Sequence, residues 1–392
     1  MRVLHVAPYF APAFCYGGPP RTILGLSQAE RSLGADVTVF TTTAAGTVSL
    51  PASVEEPADY DGLPVYRFPL GLARRFFHAP QLAQAITRRA HDFDLVHLHC
   101  LWNLTEWSAA HACQAAGLPY VISTRGMLTG ASRRHRAWRK RIFYPVVESR
   151  ILRRAEFLHV TSAEEEADIR RLGIQRQVLE LPNGVNLPGD LTERRGQFRK
   201  RYVIGQETPI IAWIGRIHAI KRLDLLAAAF AKARSVVPGL RLVLAGPDER
   251  GHRATVAPLF AEFGDAVIWT GELDGAGMLN LLADANLLVA CSDVESFGMS
   301  IVEAMAAGVP VVVTQTCPWP QIERERCGRW VPHDADSIGK GIIELATNLP
   351  EARAMGERGR RFVEENYAWD AVARKMMAAY EQVLDHGHRS RR

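Results

Sequence analysis

Two carboxylates frame the most informative stretch of the chain, CSDVESFGMSIVEAMAAGVPVVVT. Glu295 precedes a helical pattern that opens near Phe297 and Gly298 and stops at Gly308, while Glu303 lies inside that pattern among Met, Ile, Val and Ala. A carboxylate left unpaired in such surroundings costs several kcal/mol, so Glu303 is expected to reach a partner or a polar ligand. At a rise of about 1.5 Å per residue, the two carboxylates are on the order of 10 Å apart along the helix axis. That span suits two ends of one extended polar ligand, such as the hydroxyls of a sugar and of a ribose, better than an acid and a base sharing one bond. The structural alternative is an N-terminal dipole partner for Glu295 and an internal salt bridge for Glu303.

A second group is cationic. In WIGRIHAIKRLDLL, Arg216 follows Gly215 at a strand end, and Lys221 opens the next helix. Two cations converging there could hold a pyrophosphate and offset the charge that builds on it as it leaves; otherwise they form a solvated surface pair. Near the start, Gly17 and Gly18 precede a helix beginning at Pro19 or Pro20. Glycines admit a ligand close to the backbone, and a helix N-terminus offers amides to an anion such as a diphosphate; an ordinary glycine turn is the alternative. The last group combines DLVHLHCLWN and ISTRGML. His99, Trp102 and Arg125 are expected to line a cleft from the first domain and His97 to be structural. No metal site is expected, since further ligands are not evident.

Loops that position such residues belong at the carboxyl ends of parallel strands. Short apolar runs alternate with helical patterns along the chain: Val3 to Ala7, Asp36 to Thr41, Val65 to Phe68, Leu95 to His99, Tyr120 to Thr124 and Phe157 to Thr161 read as strands. A glycine- and proline-rich stretch, PNGVNLPGDLTERRGQF, interrupts the pattern. A second series follows at Ile210 to Gly215, Leu240 to Gly246, Val267 to Thr270, Leu287 to Cys291 and Val309 to Thr314. With 392 residues, two α/β domains are the expectation. We place them at 1–185 and 186–368, followed by a helix at 369–385 and a disordered basic tail at 386–392.

Composition narrows the class. A chain 47% hydrophobic and 23% charged, with no long apolar run, is neither disordered nor membrane-spanning. The first residues suit a strand and turn better than a signal peptide, and six cysteines without paired spacing read as reduced thiols, so the cytosol is the expected location. The net charge of +5 is too small to imply nucleic acid. Its distribution is uneven, however: Arg133, Arg134, Arg136, Arg139, Lys140, Arg141, Arg150, Arg153 and Arg154 alternate with Trp138, Phe143 and Tyr144, a segment suited to an anionic surface.

The ESFGMSIVEAMAAGVPVV block resembles the glutamate, seven residues, glutamate motif of the family 4 retaining glycosyltransferases of GT-B fold, which is two Rossmann-like α/β domains facing across a cleft with a C-terminal helix crossing back to the first domain. GGPPRTI, LPNGV, GRIHAIKRLD and LVLAGP fall in that family's order over essentially the whole chain. STRGML with the basic stretch after it is similar to the branch that builds bacterial surface polysaccharides, including lipopolysaccharide. The resemblance implies an N-terminal acceptor domain and a C-terminal domain for a nucleotide-diphosphate sugar. It assigns the diphosphate to Arg216 and Lys221, capped by Gly17 and Gly18. Glu295 goes to the sugar hydroxyls, Ser296 and the amides around Phe297, Gly298 and Met299 to sugar and phosphate, and Glu303 to the ribose. It further implies transfer of a hexose with retention, without metal or other cofactor, to a lipid-linked or glycan acceptor on the inner face of the membrane. Arg125 stands where many relatives carry a histidine; an arginine cannot be a general base but can bind a phosphate or a hydroxyl, so we count it as lining the cleft and as a catalytic candidate beside Glu295, Arg216 and Lys221. A nucleotide-sugar epimerase of the same fold is the alternative. A dinucleotide oxidoreductase is disfavoured because the turn after the first strand lacks GxGxxG, and a noncatalytic scaffold because Arg216, Lys221, Glu295 and Glu303 are all present.

Overall fold

Near-continuous apolar runs such as RVLHVA and LLVA are what a parallel strand buried on both faces requires, and they form the centres of two sheets. The computed structural model describes residues 1–16, 18–128, 148–249, 251–295 and 297–390, with side chains up to residue 386. Gly17, Ser296 and the 129–147 part of the basic aromatic segment, including Arg133, Arg134, Arg136, Trp138, Arg139, Lys140, Arg141, Phe143 and Tyr144, lie outside the described residues.

Two compact units result: one is Met1–Gly184 with the chain from Trp369 onward, the other Val185–Ala368. The first contains β1 (Arg2–Ala7), β2 (Asp36–Thr42), a small hairpin of β3 (Ala44–Ala45) and β4 (Val48–Ser49), β5 (Ser53–Tyr60), β6 (Leu63–Phe68), β7 (Leu95–His99), β8 (Tyr120–Ser123), β9 (Phe157–Val160) and β10 (Gln177–Glu180). Its eight-stranded sheet has the order β10-β9-β8-β7-β1-β2-β6-β5 and is parallel except for β5. The second contains β11 (Ile210–Ile214), β12 (Arg241–Ala245), β13 (Val267–Gly271), β14 (Leu287–Ala290), β15 (Val311–Thr314) and β16 (Gly328–Val331), all parallel in the order β13-β12-β11-β14-β15-β16.

The last helix, Trp369–Ser390, belongs to the first unit and packs on the helix Gly18–Ser32. Trp369 fixes its start by occupying space that only glycine leaves: a Cβ on Gly25 or Gly184 would lie 2.3 or 2.2 Å from the indole. Val372, Ala373, Met376, Ala379 and Tyr380 then bury one face against Val3, Leu26, Leu95, Val121 and Phe157. The helix runs on to Ser390, past residue 386 where a disordered tail is expected from the sequence. Its residues from Glu381 onward include no proline, and propagation adds a backbone hydrogen bond for each residue fixed.

Candidate functional site

In the second unit, two adjacent central strands deliver the charged residues. β11 ends at Ile214 and leads through Gly215 and Arg216 to the short 3-10 turn Ala219–Lys221, while β14 ends at Ala290 and leads to Glu295. Because β11 and β14 are neighbours, both loops open at the same sheet end. They are stitched together: Asp293 N–H donates to the Ile220 carbonyl at 2.8 Å, and the Cys291 thiol approaches the Lys221 carbonyl at 3.5 Å. Arg222 spans the seam with ion pairs to Asp224 and Asp293, both at 2.8 Å. Its guanidinium is held above its ordinary range by these two carboxylates.

The result is a direct pair across 74 residues of sequence. Lys221 Nζ donates to Glu295 Oε2 at 2.5 Å, and the Ser292 hydroxyl donates to the same oxygen at 3.2 Å. Arg216 takes a different course. Its side chain is 63% exposed and pairs with Glu249 in the loop after β12. The structure therefore brings Lys221 to Glu295, and Arg216 to the neighbouring loop end. Gly298, at φ 81°, caps the helix Met299–Ala306. Phe297 packs its ring on Trp319 and Tyr367, and its carbonyl accepts from the Trp319 indole, leaving Met299 exposed at the helix start. Glu303 is partly buried one turn beyond Met299. Gly246 shapes the floor: its φ is 146°, and an added Cβ would lie 1.9 Å from the Gly215 carbonyl oxygen.

In the first unit, Gly18 opens the helix Gly18–Ser32, and a Cβ there would meet nothing within 4 Å. His99, Trp102 and Arg125 come together at the ends of β7 and β8. Arg125 Nη2 donates to His99 Nδ1 at 3.3 Å and Nη1 to Asn183 Oδ1 at 2.9 Å. The Trp102 indole donates to the Met127 carbonyl at 3.0 Å. Cys100, Trp102 and Arg125 all have positive φ, a conformation that costs non-glycine residues and collects at working sites. Glu165 holds the turn that carries Arg125, accepting from the Thr124 hydroxyl, Gly126 N–H and Thr161 N–H. Burial pushes the His99 imidazole well below its usual range, with His97 and Arg125 adding to the effect.

Beneath Arg125 is a cluster of which sequence reasoning named only His97, as structural. His5, Glu30, His97, Ser123, His159 and Tyr380 are all buried and joined by hydrogen bonds. A histidine within a buried, mostly apolar strand, as in RVLHVA and FLHV, is the signal that could have found it. The ligand atoms of His5, His97 and His99 lie within 4.8 Å of one another. Each ring nitrogen of these three already has a hydrogen-bond partner, so the cluster is satisfied as it stands.

Comparison with known proteins follows the same division. Residues 17–184 match the glycosyl transferase 4-like domain family and residues 194–362 the glycosyl transferases group 1 family. The chain is 26% identical to the GDP-mannose:cellobiosyl-diphosphopolyprenol alpha-mannosyltransferase of Komagataeibacter xylinus, covering 98% of this chain and 94% of that one. It is 28% identical, over all of both chains, to the GDP-mannose-dependent alpha-mannosyltransferase of Mycolicibacterium smegmatis. Among solved structures, sucrose-phosphate synthase from Thermosynechococcus elongatus shares the fold with a TM-score of 0.73 at 23% identity, over 98% of this chain and 100% of that one. The chain thus belongs to the glycosyltransferases of GT-B fold, with a glycosyl transferase 4-like domain followed by a glycosyl transferases group 1 domain.

Proposed function

We propose that this glycosyltransferase moves a hexose from a nucleotide-diphosphate sugar to a lipid-linked or glycan acceptor, with retention of configuration and without a required metal. The observation that carries the reading is the Lys221–Glu295 pair at 2.5 Å, where the loops after β11 and β14 meet. A lysine and a carboxylate in contact offer a diphosphate a cation and a sugar an acceptor of hydroxyl hydrogens within one short span. The diphosphate takes Lys221 and draws Arg216 from Glu249. That exchange costs little, because an exposed ion pair contributes about 0 to 1 kcal/mol. Glu295 then orients the sugar through its hydroxyls. The amides at Gly298 and Met299 supply the positive end of the helix to the phosphate, Phe297 continues the same strip of backbone, Ser296 is assigned to sugar and phosphate by the resemblance alone, and Glu303 receives the ribose. Gly17 and Gly18 are assigned to the diphosphate by the resemblance, glycine being the residue that admits a ligand close to the backbone.

Retention in this scheme comes from attack on the face the leaving phosphate vacates, with the phosphate oxygen taking the proton of the acceptor hydroxyl. Lys221 and Arg216 stabilise the charge that develops there, and a preorganised cation of this kind supplies the stabilisation a metal would otherwise give. Arg125, His99 and Trp102 bind the acceptor; a phosphate-bearing acceptor would suit the Arg125 guanidinium. The exposed cations of Arg150, Arg153 and Arg154 favour an acceptor presented at an anionic membrane surface, as in surface-polysaccharide or lipopolysaccharide assembly at the cytoplasmic face. The mannosyl donors and diphosphopolyprenol acceptor named for the relatives make GDP-mannose and a polyprenyl-diphosphate sugar the first pair to try.

The test is a panel of UDP- and GDP-sugars incubated with polyprenyl-diphosphate sugars and soluble oligosaccharides, in chelator and in magnesium. Transfer in chelator, with a product whose anomeric coupling matches the donor's, is expected. An inverted product, or activity seen only with metal, would overturn the mechanism; interconversion of nucleotide sugars without an acceptor would replace transfer by epimerisation.

A further inference from the structure

The buried cluster under Arg125 obeys a strict donor and acceptor count. From the arginine end, a guanidinium can only donate, so His99 Nδ1 accepts and His99 Nε2 carries the hydrogen, donating to His5 Nδ1 at 2.8 Å. His5 Nε2 must then donate to Glu30 Oε2 at 2.6 Å. From the other end, the Leu181 carbonyl can only accept, so His159 donates from Nε2 at 3.0 Å and, when neutral, accepts at Nδ1 from the Ser123 hydroxyl at 2.6 Å. Ser123 has then spent its hydrogen and accepts from His97 Nε2 at 2.6 Å. His97 Nδ1 accepts from the Tyr380 hydroxyl at 2.6 Å, and the Tyr380 oxygen, 3.0 Å from Glu30 Oε1, has only acceptor capacity left.

Both arms close on Glu30, and with every imidazole neutral they close only if Glu30 Oε1 donates. The line needs one proton beyond those of neutral imidazoles and an ionised carboxylate. That proton sits on Glu30, or, when Tyr380 donates to Glu30 instead, on His97 or His159. Burial with neighbouring positive charge holds both imidazoles far below their usual range, that of His159 at about 3. The carboxyl placement is the one that leaves every imidazole in the line neutral.

We propose that Glu30 and Tyr380 are positioning residues for Arg125, acting through a single directed hydrogen-bond line, Arg125 to His99 to His5 to Glu30 to Tyr380 to His97 to Ser123 to His159, that the protonated Glu30 carboxyl completes. The line threads β1, β7, β8, β9, the first helix and the last helix of one unit. Register makes it possible: His5 lies opposite His97, and Ser123 opposite both His99 and His159. Its effect is to lock His99 in the tautomer whose Nδ1 lone pair receives the guanidinium, while Asn183 receives the other arm. Tyr380, on the last helix, thus sets the aim of a residue at the end of β8. This inference rests on the acceptor-binding role given to Arg125 above.

Nitrogen-resolved NMR of the histidine rings tests the line without reference to activity: His5, His97, His99 and His159 should all be neutral with hydrogen on Nε2. Glu30→Gln keeps an acceptor towards His5 and a donor towards Tyr380, so its melting temperature and ring tautomers should match the parent, whereas Glu30→Leu should lose stability. An imidazolium, an Nδ1-protonated His99, or a Gln variant as unstable as the Leu variant would overturn the line. Positioning is read from kinetics. Tyr380→Phe should raise the acceptor KM about tenfold with the donor KM unchanged, and should add nothing in an Arg125→Ala background. Effects that multiply instead would overturn the positioning role. Expected tautomers combined with full activity of Arg125→Ala would overturn the acceptor role of Arg125, and positioning with it, while leaving the line standing.

Discussion

The Lys221 ammonium and the Glu295 carboxylate are each about one-fifth exposed, so neither is fully solvated and each depends on the other. Lys221→Ala should lower kcat/KM by a factor of about 100 or more, as loss of one preorganised charge contact does, with circular dichroism and melting temperature little changed. Glu295→Ala should act mainly on kcat, because its partner is the reacting sugar. Glu303→Ala should instead weaken donor and free nucleotide alike, as titration calorimetry would show. Near-normal turnover in a folded Lys221→Ala variant would remove it from the site. A second residue-scale effect concerns stability. Burial pushes the Glu148 carboxyl up to about 7, and Glu106, buried beside it, is raised well above the usual range. Glu148 accepts the Trp102 N–H with one oxygen, while its other oxygen and both of Glu106 have no partner. The folded state holds the Glu148 proton more tightly than the unfolded chain, so this contribution is full below the ordinary value of 4.5 and is lost as pH rises through about 7. The loss is of order 3 kcal/mol. Denaturation midpoints should fall from pH 5 to pH 8, and Glu148→Gln should flatten that fall; parallel curves for the two proteins would sink the assignment.

At the scale of elements, the donor loops depend on how closely β11 and β12 end together. Gly246 has a φ of 146°, and its Cα approaches the Gly215 carbonyl so closely that no Cβ fits. Gly246→Ala should therefore cost about 1 to 3 kcal/mol from strain alone. It should also raise the donor KM by pushing Gly215 and the Arg216 loop outward. Denaturant unfolding with donor kinetics checks this, and an unchanged donor KM would separate the loop from donor binding. The central strands were legible in the sequence because burial on both faces demands apolar runs. Ser53–Tyr60, Gln177–Glu180 and Gly328–Val331 were not, and each is an edge strand of its sheet. An edge strand such as SVEEPADY carries charge and proline, the features that keep edges from pairing with other chains. Lys221 and Glu295 stood out in the sequence as charges at strand ends. Their contact did not, since it follows from β14 pairing directly with β11 while β12 and β13 lie on the other side. The histidine line was hidden for the same reason, with Glu30 and Tyr380 separated by 350 residues.

The whole molecule distributes its charge unevenly, and the described end of the basic segment shows how. On the helix Ser149–Arg154, Ile151 and Leu152 are fully buried in the core of the first unit, while Arg150, Arg153 and Arg154 are exposed. Apolar side chains here serve the fold, and the outward face is cationic. Among the described residues no helix is long and apolar enough to cross a membrane. A surface of this kind would hold a bilayer by charge rather than by insertion. Each cation near an anionic leaflet contributes about 1 kcal/mol, an attraction that decays within a Debye length of about 8 Å at physiological salt. The protein should therefore float with phosphatidylserine or phosphatidylglycerol vesicles at low salt, release from them in about 0.5 M salt, where the Debye length is roughly half its physiological value, and ignore phosphatidylcholine. Arg150→Glu, Arg153→Glu and Arg154→Glu combined should cut recovery roughly tenfold or more, since reversing three charges removes several kcal/mol of attraction before screening. Turnover on a soluble oligosaccharide acceptor should be spared, because none of the three belongs to the donor or acceptor residues. Equal recovery on neutral and anionic vesicles, or binding indifferent to salt, would leave this face as ordinary solvated surface and send the search for the acceptor to soluble glycans.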